Sequence, residues 1–397
     1  MSSNLGSIST GNIILQNSKG SLNFLNALSS APQIGVIGSV FDVSFALKNN
    51  SDQFDTFLSG TGTVNRVKNY VVQTTPNSGD VSIFQSKQYI KTNCGANRIV
   101  TFVCALSVVQ SVARVGSFDS SVQKTDSTDQ SGFFFQYDGT TFSAVQRQSG
   151  TADAVVNQSA FNLDKLDGTG YSKYTLNPTA TNMYVIVYDN SSVNVGIIFG
   201  GSVIFAHRFD NVNEAVSTLP IRFELANSSI ANDASQLKVY SCGISSSTVQ
   251  SKGIKRSIGL RASKRDILTQ STGLPVLSVR LTQAYARASA KITGLHLTSS
   301  TALYYEVVLN GVLAGAAFSA TGSTVLTEMD RTATAITGGT VVMSGYINAN
   351  GVTNIEIKDT LPLTSNIVGT CDIYSLNVIC MVSSGVCSAN VDIEEVF

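Results

Sequence analysis

The chain has 397 residues, 26 basic and 26 acidic side chains and therefore a formal net charge of zero; 13% of its residues are charged, 43% are hydrophobic, and it has two histidines and no tryptophan. This balance excludes a global field that would draw in nucleic acid or an anionic membrane. It leaves a catalytic triad or a His-rich metal site short of parts, and it gives enough apolar residues for sizeable cores.

In chain order, residues 1–60 read as an N-terminal arm leading into the first strands. Ile13-Ile14-Leu15 and Leu22-Phe24-Leu25-Leu28 fit strands or one short helix, and Phe41, Val43, Phe45 and Leu47 alternate on one strand face. Residues 61–246 carry strand after strand, rich in β-branched and aromatic residues and broken by Gly, Pro, Asn and Asp. Arg98 to Val109 is almost continuously apolar and is expected as a buried strand. Phe133 to Tyr137 and Thr140 to Val145 flank Asp138-Gly139, the dipeptide of a type I′ hairpin. Met183–Tyr188, Val193–Phe199 and Ser202–Phe209 form an expected meander with Gly200-Gly201 as its second turn. Leu219 to Leu225 is a strand with Pro220 near its start, where a missing N–H is tolerated.

Residues 247–272 hold Lys252, Lys255, Arg256, Arg261, Lys264 and Arg265 and are expected as a basic linker, solvated or seating an acidic partner. Residues 273–397 read as a second β-domain. In it Leu303 to Leu309 runs into Asn310-Gly311, another hairpin dipeptide, Gly338-Gly339 precedes the strand at Thr340 to Ile347, and Asp392, Glu394 and Glu395 form an acidic tail. Strands at this spacing with no long helical patterns between them indicate an all-β chain: two antiparallel β-sandwich domains, jelly-roll or lectin-like, behind an N-terminal arm.

No run approaches the roughly 18 apolar residues of a membrane span, and Met1-Ser2-Ser3-Asn4 does not open a secretory signal. The six cysteines form no CxxC pair and read as buried small hydrophobes. Gly60-Thr61-Gly62 does not complete a dinucleotide loop, because Asn65 stands where the third Gly belongs. No cofactor is expected.

The most site-like segment is Asn162-Leu163-Asp164-Lys165-Leu166-Asp167-Gly168-Thr169-Gly170. Asp164 and Asp167 are weak candidates for a calcium site, but the EF-hand spacing is absent and Asp-Gly is ordinary turn chemistry. A glycosidase pair would need two carboxylates in an aromatic-lined cleft. Tyr137, Phe142 and Tyr171 are the candidate surface-binding aromatics: exposed beside Asp167, they would make a platform for a sugar. His207, alternating with Phe205 and Phe209, reads as a core or interface histidine, and His296 as exposed.

Several segments occur in the order of a known family. Gly132-Phe133-Phe134-Phe135-Gln136-Tyr137-Asp138-Gly139-Thr140-Thr141-Phe142 is followed by Leu166-Asp167-Gly168-Thr169-Gly170, Leu176-Asn177-Pro178, His207-Arg208 and Leu219-Pro220-Ile221-Arg222. Then come Pro275-Val276-Leu277-Ser278-Val279-Arg280-Leu281, Thr332 to Thr340, and Ser344-Gly345-Tyr346. Together they resemble virion structural proteins of large double-stranded DNA viruses and tailed phages, of the minor capsid, fibre or spike kind. Gln136 departs from the family's usual Gly. The resemblance implies a non-enzymatic component of the virion, with other capsid proteins as partners and no catalytic residue to carry over; the alternative is a carbohydrate-binding or host-attachment module that meets a host surface glycan. Low charge adds the expectation of a homo-oligomer through strand edges such as Tyr184–Tyr188 and Leu303–Leu309.

Overall fold

The computed structural model describes residues 13–16, 22–25, 38–91, 98–119, 130–148, 151–189, 192–210, 212, 218–228, 231–246, 253–259, 264–267, 273–322, 325–357, 362–382 and 384–396. Among them are 3-10 turns at Gln158–Ala160 and Gln283–Tyr285 but no α-helix. All strand pairings among the described residues are antiparallel, and the two expected β-sandwiches are present.

The first sandwich packs an eight-stranded sheet on a seven-stranded one. In the eight-stranded sheet, Arg98–Ser107 lies between Asn182–Tyr188 and Gln236–Ser246, and Ser192–Phe199 and Ser202–Asp210 continue outward as the expected meander. Alternation decides which residues face inward. Val100, Phe102, Cys104 and Leu106 meet Phe133, Phe135, Phe223 and Phe84 of the opposite sheet in one core. Phe102 lies 6.3 Å from Phe135 and 6.1 Å from Phe223, centroid to centroid and edge-on, which is the favoured geometry for aromatic pairs.

The second sandwich packs a sheet containing Ser289–Ser299 and Gly385–Val396 on one containing Leu274–Leu281, Ile373–Cys380 and Leu303–Leu309. Its core holds Val276, Leu277, Leu295, Leu297, Leu376 and Ile393. The two sandwiches meet where the Ile367 N–H donates to Asp55 at 2.7 Å and Arg287 pairs with the buried Asp119 at 2.8 Å.

Several expectations need correction. A first strand lies within residues 1–60 as expected, Gly38–Ser44 pairing with Gln236–Ser246, and Phe41, Val43 and Phe45 join the core, but Leu47, beyond the strand's end, is 88% exposed. Ile13–Gln16 and Leu22–Leu25 are two strands paired antiparallel, which settles the strand-or-helix alternative for them, while Leu28 lies outside the described residues.

The basic stretch is more than a linker. Ile254–Ile258 and Lys264–Ile267 are strands paired along Gly385–Val396, so the acidic tail is a central strand and the acidic partner is the chain's own C-terminal segment. Arg256 reaches the fully buried Glu395 at 2.7 Å. Lys255 faces Glu394 directly across the ladder and Arg256 meets Glu395 on the diagonal, so opposite charges favour the pairing.

Asp138-Gly139 is not a two-residue type I′ turn, because Tyr137 pairs with Phe142 and four residues connect them. One Asp138 carboxylate oxygen accepts from the N–H groups of Thr140 and Thr141 and fixes a wider turn. Gly200-Gly201 does make the tight turn, both residues having positive φ between the paired Phe199 and Ser202. Asn310-Gly311 joins no hairpin: Leu303–Leu309 pairs with Thr340–Ile347 on one side and Ile373–Cys380 on the other. That strand and Asn182–Tyr188 are interior, so neither is the sheet edge expected from sequence. Cys104, Cys242, Cys380 and Cys387 are buried as free thiols as expected, Cys371 is only half-buried, and Cys94 lies outside the described residues.

Candidate functional site

The loop from Phe161 to Leu176 is the most constructed irregular segment of the first sandwich. It begins by imitating a strand along the edge of the eight-stranded sheet. The N–H groups of Leu163 and Asp164 both donate to the Ala206 carbonyl at 3.1 Å. The Asn162 amide pairs twice with the Arg208 backbone, accepting at 2.9 Å and donating at 3.0 Å. These bonds cover an edge that would otherwise stand open.

Asp164 is the keystone. It is buried, and its two carboxylate oxygens accept from the N–H groups of Leu166 at 2.8 Å and Ser172 at 2.9 Å. A Cβ on Gly170 would sit 2.2 Å from the Asp164 carboxylate, so the close approach requires glycine. Leu166 turns left-handed at φ 54 to bury its side chain completely, and its carbonyl accepts from Leu176 N–H and the Gln158 amide. A non-glycine residue in this region costs about 1–3 kcal/mol, which the burial of the leucine offsets.

Asp167 is exposed and closes a local turn, one oxygen accepting from the Thr169 N–H at 2.9 Å and hydroxyl at 2.6 Å. Those two bonds hold its carboxyl below the ordinary range, the hydroxyl contributing most. Beyond it Tyr171 stands 67% exposed. Nearby, the Tyr174 ring lies 4.5 Å from that of Phe199, itself 58% exposed at the Gly200-Gly201 turn. Tyr174 is held by its hydroxyl donating to Asn182 at 3.1 Å.

The loop therefore carries Tyr171 and Asp167, both exposed, on a braced frame. The other two candidate aromatics do not join them. Phe142 is 2% exposed and stacks on Phe135 and Tyr184 inside the core, so it offers no surface. Tyr137 is half-buried against that core, and its hydroxyl donates to the Gly139 carbonyl at 2.9 Å. Both belong to strand ends whose alternation points them inward. Phe199 escaped the sequence reading because it looked like one more strand residue; its place immediately before a Gly-Gly turn was the available signal.

Asp164 does not suit a cation, since both oxygens already serve backbone N–H groups. Among the described residues no group of three or more His, Cys, Asp or Glu is placed to hold a metal. His207 lies in the core side of this loop's seat, 4.6 Å from the Phe209 ring, and its Nδ1 accepts from the Asn162 N–H at 3.3 Å. Burial lowers its pKa, with Asp210 opposing. His296, in the other sandwich, bonds Asp392 at 2.9 Å and Asn354 at 2.8 Å, and these partners raise its pKa.

A second polar cluster occupies the outer face of the seven-stranded sheet. Arg222 is fully buried and donates through Nε at 3.0 Å and Nη2 at 2.7 Å to one oxygen of Glu224, while Arg114 donates to the other at 2.6 Å. Gln85 accepts from Arg222 at 2.9 Å. Each charge has partners, as burial requires.

No protein-family model matches the chain, and no curated protein does. Solved structures resemble part of it. The legume lectin-like domain from Entamoeba histolytica is 10% identical over 51% of this chain and 95% of that one, with a TM-score of 0.35. Lectin I-B4 from Griffonia simplicifolia, in its metal-free form, is 12% identical over 52% of this chain and 99% of its own, at 0.34. A Bacillus licheniformis beta-glucanase is 12% identical over 55% and 100% of the two chains, at 0.36. No helix of the described residues is long and apolar enough to cross a membrane.

Proposed function

We propose that the first sandwich is a glycan-binding module that acts without chemistry, the Tyr171 ring and the Asp167 carboxylate forming its contact surface. The observation that carries this reading is a 67% exposed aromatic ring on a loop locked from beneath by the buried Asp164. A pyranose has an apolar C–H face and a rim of hydroxyls. An exposed tyrosine offers the flat apolar surface, and an ionised carboxylate accepts charge-assisted hydrogen bonds from the rim. A loop held by its own keystone loses little freedom on binding.

The same geometry supports binding over hydrolysis. A glycosidase needs one carboxylic acid kept protonated near neutrality. Asp167 is instead held toward its ionised form, and Asp164 is committed to backbone N–H groups.

The test is a glycan array probed with the full chain and with Tyr171→Ala. The proposal expects a retained set of glycans that the variant no longer binds, with the melting temperature unchanged because the ring is exposed. No bound glycan, or equal binding by the variant, overturns it.

A further inference from the structure

The two lateral edges of the second sandwich are treated in opposite ways. On one side, the five-stranded sheet ends in Ile254–Ile258 and Lys264–Ile267, which carry Lys255, Arg256, Lys264 and Arg265, and the six-stranded sheet ends in the two-residue strand Ser319–Ala320. Charged residues and very short strands are the usual means by which proteins keep sheet edges from pairing with other chains.

On the other side both sheets end in strands joined through residues 348–351: Thr340–Ile347 closes the six-stranded sheet and Val352–Glu356 the five-stranded one. From Thr332 through Ile355 the sequence contains no Asp, Glu, Lys, Arg, His or Pro. Thr340–Ile347 pairs with Leu303–Leu309 alone among the described residues. A bulge at Val342 interrupts its start and leaves 343–347 in regular register. Along this side Val341 is 50% exposed, Tyr346 71% and Val352 67%, and the Tyr346 ring lies 5.0 Å from that of Tyr304. An edge strand with these side chains, no charge or proline, and regular register from Met343 to Ile347 beyond its bulge is a template for strand addition.

We infer that this edge is the interface between two copies of the chain, joined by antiparallel pairing of Thr340–Ile347 with itself about a two-fold axis. The occupant follows from the chemistry of the strip. An antiparallel pair of identical strands is its own complement, each residue reciprocating its partner's contact. With no charge on the strip, a second copy meets no like-charge repulsion, and a charged partner would find nothing to pair with. Val341 and Tyr346 are the apolar and aromatic groups that interface centres favour. A two-fold contact uses this edge on both copies, so pairing through it closes at two. The dimer would present two Tyr171 loops, so the avidity gained on a multivalent glycan surface adds to the proposed function without depending on it.

The test uses the full chain in sedimentation equilibrium and light scattering. The expected species is a dimer at tens of micromolar. Val341→Lys and Tyr346→Lys, both at exposed positions, are expected to give a monomer with an unchanged circular dichroism spectrum. Val155→Lys, on the exposed edge strand Ala154–Asn157 of the first sandwich, is expected to leave the dimer intact. Hydrogen exchange of the unmodified chain supplies a readout independent of the variants: amides of 340–347 should exchange more slowly as concentration rises. A monomer at every concentration, a dimer that survives both lysines, masses that grow beyond two copies, or exchange at 340–347 indifferent to concentration would each overturn the inference.

Discussion

Replacing Glu224 by Gln keeps the side chain's volume and removes the charge that Nε and Nη2 of the fully buried Arg222 bond. Burial alone would raise the Glu224 pKa, yet the charges and hydrogen bonds of Arg222 and Arg114 bring it from 4.5 to about 2. A fall from 4.5 to about 2, at about 1.4 kcal/mol per pH unit, is a contribution of about 3–4 kcal/mol near neutrality. Breaking a buried ion pair by removing one partner typically costs about 3–5 kcal/mol, which agrees. The sign follows from a depressed carboxyl. Its stabilisation is fully present above pH 4.5 and is lost as the pH falls from there toward about 2. The assay is urea unfolding followed by circular dichroism at a series of pH values, reading the transition of the first sandwich. Glu224→Gln should lower stability by about 3 kcal/mol at neutral pH, with a difference from the unmodified chain that shrinks as the pH falls below the ordinary glutamate range. A loss under about 1 kcal/mol at neutral pH, or one of equal size at neutral and acid pH, would refute the reasoning.

Gly139 has φ 93, and a Cβ there would lie 2.3 Å from the Val109 carbonyl oxygen, so Gly139→Val should cost about 2–3 kcal/mol in a chemical melt; an unchanged melt would remove the positive-φ requirement from this turn. Gly170→Ala would drive a methyl into the Asp164 carboxylate, so it should cost about 1–3 kcal/mol and speed amide exchange across 162–176, and unaltered exchange would show that Asp164 is not the keystone. The two histidines should titrate on opposite sides of the ordinary value in an NMR pH series, His207 below it and His296 above it. His207 then contributes stability that is lost as the pH falls below its unfolded pKa, and His296 contributes stability lost as the pH rises through its folded one; two coincident titrations would contradict both environments.

Much of the architecture was legible because the period of a strand is two and its signal is local. Phe41, Val43 and Phe45 alternate in the sequence and all three are buried. The alternation overran at Leu47 because nothing in the local pattern marks Ser44 as the last paired residue. The basic and acidic segments near 255 and 394 were each visible, but their mutual pairing was not, since a ladder between residues about 140 apart leaves no local trace. Edge position was hidden for the same reason: Leu303–Leu309 carries the composition of an edge or an interior strand equally, and only its two partners make it interior. The site was half legible. The Asp-rich loop and Tyr171 stood out by turn chemistry, whereas the contrast between a buried Asp164 and an exposed Asp167 depends on which loop amides turn inward.

The central claim is most directly tested by a crystal structure of the chain soaked with the glycan that binds best on the array. The account predicts a sugar ring stacked on Tyr171 with a hydroxyl donating to the Asp167 carboxylate and the Asp164 keystone unmoved. A sugar seated elsewhere, or a Tyr171 ring left bare under a glycan that binds in solution, would contradict it.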